Sequence, residues 1–390
     1  MRIIIAPDSF KGCLSAKQAA LAMEKGIKKA VHEDNGNLEI VKVPMADGGE
    51  GTVEAIIEAV GGSTIAVDVL DPLGKSISSF YGVLPDNTAV IEMAAASGLN
   101  LISSCQQNPL QTTTYGTGQL ILSALQRGCK RFIIGIGGSA TNDCGAGMAQ
   151  ALGAKLLDRD NREIGFGGGE LNKVAKIDLT ALYPDIKTAR FTIASDVKNL
   201  LCGPDGASYI YGPQKGATPD MVKILDNNLR HFSSIIKNDM GRDLSNVPGS
   251  GAAGGLGAGL LAFVDADIQS GINIVIEVAN LEAKIKDADW VITGEGATDY
   301  QSVFGKVPFG IGQVAQKWGK PVLCISGTLG SGYEKLYDVG VTALFSIVNK
   351  PMALEEAITR GEELLAQETE NIFRLIAGTA TKNHCIRECY

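Results

Sequence analysis

The stretch RIIIAPDSFKG, from Arg2 to Gly12, decides the fold of this chain. Its run of three isoleucines predicts a strand over Arg2–Ala6 that is buried on both faces, which is typical of a parallel sheet. The strand ends at a turn that carries Asp8 and Lys11. A strand that ends in a turn with charged side chains is the usual start of an α/β unit.

The residues after Gly12 continue this pattern. Ser15 followed three residues later by Gln18 is a capping box and predicts a helix from about Ala16. A strand at Leu38–Val43 and a helix at Thr52–Val60 complete a β-α-β-α order. The same order returns near the C-terminus, in predicted strands and helices at Trp290–Thr293, Phe309–Trp318, Pro321–Ser326, Ala343–Val348 and Leu354–Ala377.

The pattern changes between these two ends of the chain. Short strands at Ile65–Leu70, Ser76–Leu84 and Ala89–Met93 are separated by turn sequences and predict an antiparallel meander. We therefore predict a three-layer α/β domain built from residues 1–65 and 286–390. A second α/β domain with a mixed sheet, residues 66–285, is expected to be inserted into it.

Composition excludes several classes of protein. The 390 residues carry a net charge of −8, which argues against a general electrostatic affinity for nucleic acid or for an anionic membrane surface. The N-terminal apolar run is too short for a signal peptide. The 8 cysteines are dispersed without a C-x-x-C pair, which fits a reducing cytoplasm. The sequence leaves the oligomeric state open.

The 48 glycines are enriched in polar loops that mostly follow predicted strands. Nearly all of these loops carry a carboxylate, and in an open α/β sheet ligands bind at this edge. Backbone N–H groups at glycine-rich turns can hold phosphate, and carboxylates beside phosphate indicate a divalent cation such as Mg²⁺. The loops are 8–12, 45–52, 135–143, 194–196, 248–255 and 294–306.

Other chemistries have weaker support. None of the 3 histidines lies in a glycine-rich loop, so histidine acid–base catalysis is not expected. No Walker A sequence is present. The segment Gly135–Ala140 matches the dinucleotide pattern G-x-G-x-x-G/A, with Asp158 in the place of a ribose-binding acid. An NAD-dependent dehydrogenase of a small hydroxy acid is therefore an alternative, and so is a non-catalytic protein that binds sugar acids.

At these loops the chain resembles the bacterial glycerate kinase family. The resemblance spans essentially the whole chain and rests on segments in family order: 6–12, 44–52, 91–99, 114–118, 135–148, 212–217, 248–257 and 292–306. It implies a flavodoxin-like domain made from both chain ends, with a second α/β domain inserted. It also implies ATP-dependent phosphorylation of D-glycerate with Mg²⁺. The expected product is 2-phosphoglycerate in preference to 3-phosphoglycerate.

We assign roles on this hypothesis, with direct in-line transfer in a cleft between the domains. The general base is expected to be Asp8 or Asp47, then Asp196, and Lys11 is a further catalytic candidate. Ser9, Lys11 and Glu50 are candidates for binding glycerate. Mg²⁺ is expected at Asp196, Glu295 or Asp299. The residues expected to bind the ATP phosphates are Gly137, Gly138, Ser139, Asn142, Lys215, Gly251, Gly254 and Lys306.

Two substitutions test these assignments. We expect Asp196→Asn and Lys11→Met each to lower kcat/KM at least about 100-fold, or ~2.7 kcal/mol, because each removes a charge needed at the transferred phosphoryl group. Circular dichroism should show that both variants remain folded. Near-normal activity of both variants in steady-state assays would contradict the assignments.

Overall fold

A computed structural model describes residues 1–31, 38–49, 51–303 and 305–387, with side chains through residue 378. The contacts divide the chain into two compact units. We call Met1–Asp47, Glu54–Val60 and Ile272–Tyr390 the terminal unit, and Gly48–Val53 and Gly61–Gly271 the central unit. The domains predicted from the sequence have the limits 1–65 with 286–390 and 66–285. These limits stay a prediction.

The terminal unit contains a five-stranded sheet in which every neighbouring pair is parallel. Numbered along the chain, the strands lie in the order 2-1-3-4-5, which is the flavodoxin-like order. The predicted fold class is therefore confirmed. Its strands, in chain order, are Arg2–Ile5, Glu39–Lys42, Trp290–Thr293, Val322–Ser326 and Ala343–Ser346.

Both faces of this sheet are covered. Ile3 and Ile5 pack with the helices Ala16–Ala30 and Gly361–Arg387 in one apolar cluster. Ile4 points to the opposite face because side chains alternate along a strand, and it is also completely buried. The helices that belong wholly or mostly to this unit are Ala16–Ala30, Thr52–Val60, Gly271–Val278, Leu281–Lys286, Val307–Lys317, Leu354–Thr359 and Gly361–Arg387.

Two local predictions about these helices can be checked. The capping box is confirmed, because the Ser15 hydroxyl accepts from the Gln18 N–H and the Gln18 side chain accepts from the Ser15 N–H. The predicted single helix Leu354–Ala377 is wrong, since Leu354–Thr359 and Gly361–Arg387 are separate helices. A tertiary contact marks the break: a Cβ on Gly361 would lie 2.1 Å from Cys13 Sγ.

The central unit contains a six-stranded mixed sheet. Its first three strands in the chain form the predicted antiparallel meander, and the remaining pairs are parallel. Stacked rings of Phe132 and Phe191, with centroids 4.5 Å apart, join two of the parallel strands in its core. The strands in spatial order are Asp267–Gln269, Arg190–Ala194, Arg131–Gly135, Thr88–Glu92, Ser76–Val83 and Ser63–Leu70.

The described residues also form further strands and helices. Among the described residues, no helix is long and apolar enough to cross a membrane. Two small pairs of strands are Lys155–Leu157 with Lys176–Asp178 and Ala297–Thr298 with Thr328–Leu329. The α-helices of the central unit are Ala94–Ser97, Tyr115–Gln126, Ala146–Ala151, Ala207–Tyr211, Pro219–Met240 and Leu256–Phe263. The 3₁₀-helices are Leu99–Leu101, Ser104–Gln106, Leu171–Lys173, Pro184–Thr188, Pro213–Lys215 and Tyr333–Val339.

The close packing of helices Ala16–Ala30 and Gly361–Arg387 is testable with one glycine in each. A Cβ on Gly26 would lie 2.4 Å from the Ala366 carbonyl oxygen, whereas a Cβ on Gly378 would meet nothing within 4 Å. We expect Gly26→Ala to lower the free energy of unfolding by about 1–3 kcal/mol, because it overpacks the helix contact. Gly378→Ala should leave it unchanged or raise it by up to about 1 kcal/mol. Urea denaturation measures both, and a Gly26→Ala variant as stable as the parent would contradict the packing argument.

Candidate active site

The two central strands of the terminal sheet bring two acidic loops side by side. Strands Arg2–Ile5 and Trp290–Thr293 pair in parallel, with Ile5 opposite Ile292. The pairing continues past the strand ends, because the Asp8 N–H donates to the Gly294 carbonyl over 2.8 Å. These strands flank the point where the strand order reverses, which is where open α/β sheets bind their ligands.

A cavity of about 530 Å³ lies at this point, within the terminal unit. Its volume is in the range of small-molecule sites. The loops after the strands contribute five charged residues to its lining: Asp8, Lys11, Asp47, Glu295 and Lys306. The cavity therefore brings together predicted site residues from three segments that are far apart in the sequence.

Asp8 is the most strongly perturbed carboxylate in this cavity. It is 9% exposed, and its Oδ1 accepts the Ser9 N–H over 2.6 Å. Burial, together with the negative charges of Asp47 and Glu295, raises the pKa of Asp8 to about 7, although the Ser9 N–H and Lys11 oppose the rise. A carboxylate that changes protonation near neutral pH is suited to accept a proton from a substrate hydroxyl.

Glu295 is held by hydroxyl groups on one side and by an ammonium on the other. Its Oε1 accepts from Ser302 Oγ at 2.6 Å and from Thr298 Oγ1 at 3.1 Å. Its Oε2 lies 3.6 Å from Lys306 Nζ. Burial raises the pKa of Glu295, and these hydroxyls and Lys306 oppose that rise. The carboxylate is thus fixed in position and places an ammonium group in the cavity.

The other predicted site residues of the terminal unit lie close in the sequence to Asp8 or to Glu295. Lys11 is exposed and Ser9 is half-buried, and both line the cavity. Asp299 forms a turn in which its Oδ1 accepts the Gln301 N–H over 2.8 Å. Glu50 lies outside the described residues.

The glycine-rich loops of the central unit pack against one another. A Cβ on Gly135 would lie 2.5 Å from the Gly48 carbonyl oxygen, and a Cβ on Gly48 would lie 2.9 Å from that of Ala194. Gly137 and Gly138, which follow Gly135 in the same loop, are exposed. The exposed Asp196 follows strand Arg190–Ala194.

Lys215 is buried in this same group of loops, at 1% exposure. Its Nζ donates to Ser139 Oγ at 2.6 Å and to the Thr141 carbonyl at 2.7 Å. Burial lowers the pKa of Lys215 to about 7, and the nearby Asp143 opposes this. In this conformation the ammonium joins two parts of one loop, and its role toward the outer phosphates of ATP stays a prediction.

The other predicted phosphate residues of the central unit are also enclosed. A Cβ on Gly251 would lie 2.1 Å from the Leu200 carbonyl oxygen, and one on Gly254 would lie 2.0 Å from that of Thr141. Asn142 is fully buried, and its Oδ1 accepts from Ser208 Oγ at 3.2 Å. The absent side chains of both glycines therefore permit close backbone packing, and their contact with phosphate stays a prediction.

The segment Gly135–Ala140 lacks the surroundings of a dinucleotide-binding turn. A helix should begin within that motif, but the next helix is Ala146–Ala151, of only 6 residues. Asp158 follows strand Lys155–Leu157, which pairs antiparallel with Lys176–Asp178 outside the six-stranded sheet. Both observations argue against the dehydrogenase alternative.

Known proteins resemble this chain over nearly its whole length. The model of the glycerate kinase family matches residues 3–377. The chain belongs to the glycerate kinase family. It is 49% identical over 371 residues to a glycerate kinase of Halalkalibacterium halodurans, covering 95% of this chain and 97% of that protein. It is 48% identical over 378 residues to the glycerate 2-kinase of Escherichia coli, covering 97% and 98%.

A solved structure also resembles the chain over its whole length. The crystal structure of a Salmonella typhimurium protein assigned as a glycerate kinase 2 superposes with a TM-score of 0.88 and 44% identity. The match covers 98% of this chain and 99% of that one. The glycerate kinase family is a family of phosphotransferases, so the predicted enzyme class is confirmed.

Family membership does not locate the metal ion. Among the residues that the structure describes, no three His, Cys, Asp or Glu side chains are grouped as a metal site. Of the predicted ligands, Glu295 and Asp299 belong to the terminal unit and Asp196 to the central unit. The metal set in this glycerate kinase family member therefore stays a prediction.

Sequence reasoning missed one whole side of the cavity. Apolar side chains line it on the segment that follows the last strand of the sheet: Ile347, Val348, Met352, Leu354 and Ile358. These residues lie outside every segment that carries the resemblance to the glycerate kinase family. No predicted site motif contains them, and their exposure, 70% for Leu354, is a property of the tertiary structure.

The burial of Asp8, next to the carboxylates of Asp47 and Glu295, predicts that rising pH lowers the stability of the folded state. The folded state binds a proton at Asp8 up to pH about 7, whereas the unfolded chain releases it near the ordinary aspartate pKa of 3.8. Between these values the folded state binds more protons, so rising pH lowers the free energy of unfolding, by at most about 1.4 kcal/mol per pH unit. We expect Asp8→Asn to gain stability relative to the parent as pH rises from 5 to 8.

Urea denaturation at both pH values measures this change. The exposed Asp338, outside the cavity, provides the matched control Asp338→Asn. Equal pH dependence of the parent and Asp8→Asn would show that Asp8 has no raised pKa.

Proposed function

We propose that this protein is an ATP-dependent kinase that phosphorylates D-glycerate, with 2-phosphoglycerate as the product in preference to 3-phosphoglycerate. One observation carries the proposal: the cavity at the strand-order reversal combines the buried carboxylate of Asp8 with the ammonium groups of Lys11 and Lys306. The glycerate kinase and glycerate 2-kinase relatives, matched over nearly the full chain, support the choice of substrate.

These groups can perform the two tasks of phosphoryl transfer. The attacking glycerate hydroxyl gives its proton to a carboxylate, for which Asp8 or Asp47 is placed in the cavity. The new bond joins that hydroxyl oxygen to the γ-phosphorus, and the bond from the γ-phosphorus to the bridging oxygen of ADP breaks. Lys306 and Lys11 offset the negative charge on the phosphoryl oxygens.

The donor set of the cavity fits Mg²⁺. The negative charges of Asp47 and Glu295 both raise the pKa of Asp8, so these carboxylates repel one another, and a divalent cation would reduce that repulsion. Mg²⁺ needs only one or two protein carboxylates because substrate phosphates and water complete its coordination. Of the predicted ligands, Glu295 lines this cavity. We propose that it, Asp299 or Asp196 holds the ion, which would supply charge neutralisation of the phosphates.

The cysteines are consistent with a cytoplasmic location, which we propose. The six cysteines whose side chains are described are all free thiols. Free thiols persist in a reducing compartment, whereas secreted proteins usually pair theirs.

A coupled assay of ADP release over a panel of hydroxy acids tests the function. We expect release to require D-glycerate and Mg²⁺, and ³¹P NMR of the product to show 2-phosphoglycerate. No ADP release with D-glycerate would overturn the proposal. A product that is only 3-phosphoglycerate would overturn the stated regiochemistry alone.

Two lysines near the ends of one helix give a matched pair of variants for this assay. Lys306 precedes helix Val307–Lys317 and faces Glu295, whereas Lys317 ends it and pairs with Glu282. Lys306→Met should lower kcat/KM by about 100-fold or more, since it removes a cation at the phosphoryl group. Lys317→Met should retain activity within about twofold, and equal losses in both would point to a general effect on the helix.

A further inference from the structure

We propose that the purine base of the nucleotide binds to the apolar side of the terminal cavity, against Val348, Met352, Leu354 and Ile358. We call these residues, with Ile347, the apolar wall. The inference rests on the proposed kinase function and assigns the part of its site that binds the nucleoside.

The apolar wall is unusual because it leaves large apolar side chains in contact with solvent. Leu354 is 70% exposed, and Val348 and Ile358 are each 38% exposed. Grouped exposed apolar side chains in a concave site mark a ligand or partner surface. All three line the same cavity as Asp8 and Lys306, so the ligand that covers them also reaches the charged side.

The two co-substrates differ in their need for such a wall. Glycerate is a three-carbon anion with two hydroxyl groups, so it needs hydrogen-bond partners and cations. It would also occupy only a small part of about 530 Å³. A purine ring has two flat apolar faces, whose transfer from water to an apolar surface is favourable. Of the two, the nucleotide therefore matches both the size and the chemistry of the apolar wall.

The charged side of the cavity suits the rest of the same molecule. Lys11 and Lys306 line the cavity together with the apolar wall. A nucleotide whose base lies on the apolar wall can direct its phosphates toward these two ammonium groups. The chain thus needs only one cavity to bind both parts of the nucleotide.

The glycine-rich loops of the central unit offer less to a base. Gly251 and Gly254 are enclosed by backbone, and the ammonium of Lys215 is buried with two partners. A nucleoside at those loops would leave the apolar wall of the terminal cavity uncovered.

Calorimetric binding of ADP and of inorganic tripolyphosphate to the full chain tests the inference without turnover. We expect Leu354→Ser and Val348→Ser each to raise the Kd for ADP about tenfold and to leave the Kd for tripolyphosphate unchanged, because only ADP carries a base. Leu21→Ser is the matched control, since Leu21 is 45% exposed on helix Ala16–Ala30 outside the cavity. It should bind both ligands as the parent does.

Photolabelling locates the base directly. Light activation of 2-azido-ADP should label tryptic peptides within residues 336–360, and excess ADP should prevent the labelling. Labelling of peptides that contain residues 135–143 or 248–255 instead would overturn the inference.

The results separate this inference from the proposed function. If the parent binds ADP and phosphorylates glycerate but both variants bind ADP normally, the base lies elsewhere and the kinase function stands. If the parent neither binds ADP nor releases it with glycerate, the proposed function fails and the inference fails with it. An equal loss of ADP and tripolyphosphate binding in the variants would also overturn the inference, because it would show a disturbed cavity.

Discussion

The parallel pairing of strands Arg2–Ile5 and Trp290–Thr293 is the interaction on which the candidate site depends. It joins residues about 290 positions apart and continues as backbone hydrogen bonds from Ala6 to Ile292 and from Asp8 to Gly294. The Thr293 hydroxyl adds a further bond to the Ala6 carbonyl over 2.9 Å. Without this pairing, Asp8 and Glu295 would lie on separate loops, and no cavity would combine them with Lys306.

The site brings carboxylates together in a partly buried cavity. Their mutual repulsion and the loss of hydration oppose folding. Asp8 is buried beside Asp47 and Glu295, and this is why its pKa rises. The surrounding sheet is buried on both faces and provides the stability that tolerates this repulsion. Hydroxyl groups of Ser302 and Thr298 fix Glu295 in turn, so the carboxylate is held by hydrogen bonds from neutral donors as well as by its ion pair with Lys306.

The glycine-rich loops have more than one physical explanation. In sequence, a loop such as 248–255 and a loop such as 135–140 look equally suited to hold phosphate. In the structure Gly251 and Gly254 admit neighbouring backbone, whereas a Cβ on the exposed Gly138 would meet only the Ala94 side chain, at 3.4 Å. A missing side chain makes room, but only the tertiary structure shows whether the room is filled by the chain itself or left for a ligand.

The sequence by itself determined the local elements and the chemical character of the loops. The spacing of Ser15 and Gln18 predicted the capping box, and short strands separated by turn sequences predicted the meander of the mixed sheet. Both features depend on residues that are close together in the chain. The same loops carried Asp8, Glu295 and Lys306 as candidates. Only the tertiary structure decided that these three share a cavity, that Lys215 is enclosed, and that the apolar wall completes the cavity. Each of those facts depends on contacts between segments that are far apart in the chain. Such contacts form only in the folded protein, so the residues of one segment do not predict them.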